Sequence, residues 1–305
     1  PERGAATGTS VLQGSWPTWR GLAQEGRSLE TGLLDRFEVG GEGHLWSYEL
    51  SGRGTPVIQG GRVFGMGYRG EGPELQEVLY CLDEASGRPI WEIGFSDFLS
   101  DCVYERYSIS SPVVDLETDN VYYLTTPGLL GCVTRDGEPV WQHSMMSEFG
   151  RLTFPNSRTG APIIDGDLVI THSVTSHWGP EGPARDRVYA FEKKTGRHVW
   201  TSTPGETPID NSFANPVFDW VNGRRVLYFT TGCGNLACID ARSGDPLWRY
   251  KMAAGGMNSS VVLHGDTVIA IHGSDNMDSS ETGRMVAIKA GAEPKPGEAG
   301  PVVLG

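Results

Sequence analysis

Few stretches of this 305-residue chain bring together side chains that could do chemistry. The segment GSDNMDSSETG, residues 273–283, gathers Asp275, Asn276, Asp278 and Glu281, an oxygen set of the kind that surrounds calcium. Its ligand spacing and glycine placement do not match an EF-hand loop, so it reads as a solvated acidic loop. The segment THSVTSHWGPEGPARD places His172 and His177 beside Trp178. Two histidines at that spacing need a third ligand from elsewhere to hold a metal, and a long loop decorating a rim is the plainer account. No metal site is assigned. Hydrolase triads can be drawn from any chain with seven histidines and many serines, yet no GxSxG elbow and no P-loop are present. No catalytic constellation emerges. What remains is a set of polar segments, each just ahead of an apolar run: ERYSISSP from Glu105, FPNSRTGAP from Phe154, DNSFANP from Asp210 and GGMNSS from Gly255.

The elements behind those segments repeat. CLDEASGRPIW (Cys81–Trp91) and CIDARSGDPLW (Cys238–Trp248) are nearly the same eleven residues. Gly87 and Trp91, Gly137 and Trp141, Gly196 and Trp200, and Gly244 and Trp248 are all four apart. Before each glycine stand an apolar run and a polar turn, which reads as strand, turn, strand. A second hairpin precedes each copy: PVIQGGRVFGM, PVVDLETDNVYYL, PIIDGDLVITH and PVFDWVNGRRVLYF, with a fifth, VVLHGDTVIAI, from Val261. Gly-Gly, Asp-Gly, Asn-Gly and His-Gly pairs mark its turns. Proline at the start of the first strand is tolerated only where the N–H has no ladder partner, so that strand should be an exposed inner edge. Tryptophans at 46, 91, 141, 200 and 248 are 45, 50, 59 and 48 residues apart. Four strands per roughly 40–50 residues is the period of a β-propeller blade, and no Gly-His and Trp-Asp pair marks a WD40 repeat.

The fold class is therefore all-β, a β-propeller of four-stranded antiparallel blades with at least five represented. The tryptophans should pack between neighbouring blades. The polar segments then fall at one mouth of the central channel. Arg106, Tyr107, Asn156, Arg158, Asn211 and Asn258 are its candidate ligand- or partner-binding residues. Two arginines there favour an anionic or peptide carboxylate group; the competing account is hydrogen bonding between blades.

The LxCLDxxSGxxxW repeats, with SPVV or APII hairpins, resemble the PQQ-like (quinoprotein dehydrogenase-like) propeller repeat over residues 14–291. WPTWRG at Trp16–Gly21, ETGLL at Glu30–Leu34 and LWSYEL at Leu45–Leu50 resemble a bacterial exported branch. The resemblance implies seven or eight blades and a superfamily holding both quinoprotein alcohol dehydrogenases and the outer-membrane assembly lipoprotein. Such dehydrogenases carry adjacent cysteines, a stacking tryptophan, a calcium or lanthanide held by Glu, Asn and Asp, and a catalytic Asp. Here the closest cysteines are Cys233 and Cys238, and only Trp16, Trp19, Trp178 and Trp220 are free of the blade pattern. WPTWRG reads as a staple of the chain start onto the blades. PQQ with calcium is not adopted as a cofactor.

The expected organisation is an N-terminal extension (1–42), propeller blades (43–291) and a Pro/Gly-rich segment (292–305) leading to missing blades. That last segment has no tryptophan, so the fifth unit is read as lacking its fourth strand. Either the natural chain continues, which is preferred, or the Trp46 strand closes the ring onto strands at 257–289. Forty-two glycines and nineteen prolines suit many turns and short strands. A net charge of −13 disfavours nucleic acid and anionic membranes as partners. No apolar run reaches the roughly 18 residues of a membrane helix. A start at Pro1 reads as a processed product. Cys81, Cys132 and Cys238 stand where other copies carry Ala190 and Ala287, so they read as small buried residues. The functional reading is a non-catalytic exported binding or scaffold propeller, periplasmic or at the cell envelope, with a protein or small-molecule partner. A quinoprotein-type alcohol or sugar oxidoreductase with a degenerate site is the first alternative, and a carbohydrate-binding or carbohydrate-active propeller the second.

Overall fold

The computed structural model describes residues 14–97, 100–101, 104–150, 160–175, 185–210, 212–291 and 303–304. Five antiparallel four-stranded sheets follow one another in strict chain order. Blade 1 holds β1 (Val57–Gln59), β2 (Arg62–Arg69), β3 (Gln76–Asp83) and β4 (Pro89–Ser96). Blade 2 holds β5 (Val113–Val114), β6 (Val121–Leu124), β7 (Leu129–Val133) and β8 (Pro139–Ser144), followed by the short helix α1 (Met145–Phe149). Blade 3 holds β9 (Ile163–Asp165), β10 (Leu168–Thr175), β11 (Arg185–Glu192) and β12 (His198–Ser202). Blade 4 holds β13 (Val217–Val221), β14 (Arg224–Thr230), β15 (Asn235–Asp240) and β16 (Pro246–Lys251). Blade 5 holds β17 (Val262–His264), β18 (Thr267–Asp275), β19 (Thr282–Lys289) and β20 (Val303–Leu304).

The fifth unit therefore has its fourth strand, contrary to the sequence expectation. Val303 pairs with Ile288 and Leu304 with Ala287. An outermost strand needs only main-chain pairing, so the missing tryptophan hid it. Nor does the Trp46 segment lie on strands 257–289. It covers blade 1: Tyr48 packs on Tyr80 at 5.1 Å, and Ser51 bridges to Tyr68.

Each tryptophan is locked in place by the repeat that surrounds it. Cys81 pairs with Trp91, Cys132 with Trp141, Ala190 with Trp200 and Cys238 with Trp248, and in every case the register slips by one residue immediately afterwards. A small side chain is required directly across from the indole, which is why cysteine and alanine exchange there. Burial pushes the Cys81 thiol up to about 11 and raises Cys132 and Cys238 as well, so these sulfurs stay protonated. The indoles of Trp46, Trp91, Trp141 and Trp200 then lie on Gly87, Gly137, Gly196 and Gly244 of the next turn, where an added Cβ would meet the ring at 3.0 Å or less. Trp46, Trp91 and Trp141 each donate Nε1–H to a carbonyl in that turn: Glu84 at 2.8 Å, Arg135 at 2.9 Å and Lys193 at 2.9 Å. Four apolar cores fill the four seams between consecutive blades.

Buried carboxylates latch two of these seams. Glu77 of β3 accepts from Ser108 N (2.7 Å), Thr126 N (2.8 Å) and Thr126 Oγ1 (2.5 Å) of blade 2. Asp186 of β11 accepts from Gly232 N of blade 4 at 2.5 Å and lies 2.5 Å from His172 Nε2. His172 is thus a fully buried residue of β10, not part of a rim loop, while His177 and Trp178 lie outside the described residues. The stretch GMGYRG (Gly65–Gly70) has the GxGxxG spacing but runs along β2 with no phosphate-cradling helix after it. Its glycines serve packing instead: Tyr80 covers Gly65 and Leu50 covers Gly67.

The N-terminal strap crosses the inner edges of the blades. Trp16 exchanges two main-chain bonds with Ile58 (2.7 and 2.9 Å), and Pro17 accepts from Val114 N at 2.8 Å. Arg20 donates to Val261 O, and the Gln24 amide bonds Pro216 O and Phe218 N. Blades 1, 2, 4 and 5 are thereby tied to one short segment.

Candidate functional site: the channel mouth

On one side of the strap the five lead-in segments converge on a cavity of about 410 Å³. Its walls come from two repeated positions, counted back from Pro56, Pro112, Pro162, Pro216 and the equivalent Val261. One residue back stand Thr55, Ser111, Ala161, Asn215 and Ser260; three back stand Arg53, Ile109, Phe213 and Asn258, with Thr159 outside the described residues. Gly160, Arg106 and Trp19 of the strap complete the lining.

The first ring is structural. Ser111 Oγ accepts from Thr55 N (2.8 Å), Asn215 Oδ1 from Ala161 N (2.6 Å) and Ser260 Oγ from Asn215 N (2.8 Å), each bond crossing from one blade to the next. In the second ring the exposed Arg53 and Asn258 side chains make no such bonds among the described residues, although Arg53 N donates to Ser108 O at 3.2 Å. Arg53 has no ion-pair partner among the described residues. Arg106 lies over the Tyr104 ring, its Cζ 4.0 Å from the centroid, with Nε 3.8 Å from the buried Asp101 carboxylate and no hydrogen-bond acceptor for that Nε among the described residues. The segment carrying it is held in left-handed backbone at Glu105 and Ser108 (φ 52° and 53°), a conformation costing about 1–3 kcal/mol per non-glycine residue. Ser108 is fixed there by Glu77, whose own acidity is weakened by burial.

Of the six residues singled out from sequence, Arg106 and Asn258 line this cavity. Tyr107 is 2% exposed and packs edge-on against Tyr68 at 5.4 Å, away from the lining. Asn156, Arg158 and Asn211 lie outside the described residues. Arg53 and Trp19 were missed. Arg53 occupies in SGRGTP the place that Ile109 holds in ERYSISSP, so the blade 1 lead-in carried the signal.

A family model described as outer membrane protein assembly factor BamB matches residues 31–290. The chain belongs to this family of PQQ-like propellers. Over 190 residues it is 26% identical to the quinoprotein ethanol dehydrogenase of Pseudomonas aeruginosa, covering 58% of this chain and 25% of that protein. Among solved structures it is similar to the quinohemoprotein alcohol dehydrogenase of Comamonas testosteroni (TM-score 0.62, 14% identity, 97% of this chain and 52% of that one). It is also similar to a europium-containing methanol dehydrogenase (TM-score 0.60, 15% identity, 80% of this chain and 51% of that one). The chain thus spans about half the length of these solved relatives and a quarter of the curated one. At such identities the structural likeness shows the fold.

Proposed function

We propose that this propeller is a non-catalytic, exported binding protein whose channel mouth takes a ligand bearing a carboxylate or similar planar anion. The supporting observation is the second ring. Arg53 and Arg106 bring two guanidinium groups to one cavity, with Trp19, Ile109 and Phe213 as apolar walls. Guanidinium groups favour planar oxyanions through paired hydrogen bonds, and aromatic walls hold the attached apolar body. The periplasm or cell envelope is the compartment that this reading carries with it.

A redox reading draws on the quinoprotein relative. A calcium ion beside a quinone would need a cluster of oxygen ligands, carboxylates among them. The described mouth residues contribute none, and no group of three or more His, Cys, Asp or Glu suited to a metal occurs among the described residues.

Titration of N-acetyl-tryptophan against its amide tests the proposal by calorimetry. The free acid should bind at least about tenfold more tightly, and Arg53→Ala with Arg106→Ala should remove the preference. Equal binding of acid and amide refutes it. Dye-linked alcohol oxidation after adding PQQ and calcium would establish the redox reading instead.

A further inference from the structure

Beyond the mouth, the strap leaves one inner edge without a partner among the described residues. Inner strands of blades 1, 2 and 4 give main-chain groups to the strap through Ile58, Val114, and Pro216 with Phe218. Blade 5 does so through Val261. Blade 3 does not. In blade 1, Ile58 pairs with Val63 across a two-residue turn and directs its N–H and C=O away from β2 to Trp16. Ile164 pairs with Val169 across an equally short turn, in the same register. By the alternation of antiparallel pairs, its N–H and C=O also point away from the sheet, towards the axis. No hydrogen bond reaches them from another segment among the described residues.

This edge lines a second cavity, of about 470 Å³, shared with the strap residues Pro17, Thr18 and Leu22. Leu22, Val114, Leu116 and Phe218 provide apolar wall around Ile164. Its charged groups are already paired. Arg225 lies 2.9 Å from Asp165 and over the Phe218 ring, and Lys193 lies 2.7 Å from Glu117 and 3.0 Å from Asp115. Among the described lining residues no unpaired charge is left to select an ion. To a ligand the cavity offers the Ile164 main-chain donor and acceptor and an apolar surface.

We propose that this cavity binds an extended peptide, which adds to the inner edge of blade 3 through Ile164. The strap is the precedent within the same molecule, since Trp16 makes this two-bond exchange with the equivalent Ile58. Strand addition of this kind takes affinity from main-chain bonds and selectivity from alternate side chains. Apolar or β-branched residues face the wall made by Leu22, Leu116 and Phe218. The chain's net charge of −13 favours a basic or neutral peptide over an acidic one.

The probe is the blocked hexapeptide acetyl-Lys-Val-Thr-Val-Thr-Lys-amide, compared with a twin N-methylated at its four central residues. Hydrogen exchange is read on the full chain. The unmodified peptide should bind saturably and slow exchange at the Ile164 amide by about tenfold or more, while the twin should do neither. Ile164→Pro removes this donor without breaking a bond to β10, so the protein should keep its melting temperature and lose at least about tenfold in affinity. Equal binding by the twin overturns the proposal. So does protection at Ile58, Phe218 or Leu263 in place of Ile164, or no binding at millimolar peptide. Should Ile164→Pro fail to fold, the methylated pair and the exchange map still decide.

Discussion

Asn215 and Phe213 lie two residues apart on one lead-in segment and belong to different machines. Asn215 is buried, accepts the Ala161 amide of blade 3, and gives its own amide to Ser260 of blade 5. Phe213 faces the cavity from a position where the other blades carry Arg53, Ile109 and Asn258. Residues one back from the inner strand are small or amide-bearing because each sits at a seam. Residues three back vary from cation to phenyl because their side chains meet the cavity. A repeat can therefore keep its assembly contacts and vary its recognition within three residues.

The comparison is broken most strongly at the seams. Trp141→Ala removes an indole packed on Gly196 and a bond to Lys193 O, and should cost about 3–5 kcal/mol in urea unfolding. Asn215→Ala leaves the buried Ala161 N–H without its acceptor and should cost about 1–3 kcal/mol, with Asn215→Asp restoring much of it. Glu77 sharpens the same point through pH. Burial raises its pKa above the ordinary 4.5, so the folded state holds that proton more tightly than the unfolded chain. Its contribution is fully present below about 4.5 and declines as pH rises through the folded value. Denaturation of wild type and Glu77→Gln across that range should therefore show wild type losing ground as pH increases. The smallest stability effects belong to the cavity. Arg53→Ala and Asn258→Ala should change unfolding free energy by less than about 0.5 kcal/mol while altering ligand affinity. A large loss at either would move that residue to the seam class.

Most of the architecture was legible because glycine and tryptophan mark a physical lock. The indole needs a glycine in the next turn and a small residue across the strand, so all three recur in register. β20 was not legible, because an outermost pair of residues leaves no periodic trace. The mouth was readable as a place, since lead-ins to inner strands must gather near the axis, but only in part as a residue list. Tyr107 looked like lining because its neighbours are polar, whereas the left-handed turns at Glu105 and Ser108 bring it against Tyr68. WPTWRG reads as a staple, and through Trp19 the strap that staples also forms a wall of the cavity.

Arrays of repeats ordinarily hold together only through nearest neighbours, so their terminal units fray first. Here Trp16 grips blade 1 while Arg20, four residues later, reaches Val261 of blade 5, 241 positions along the chain. Blades 1 and 5 thus share a tether of a few residues. Loosening either should weaken the hold on the other, which gives a modular array the cooperativity of a single body.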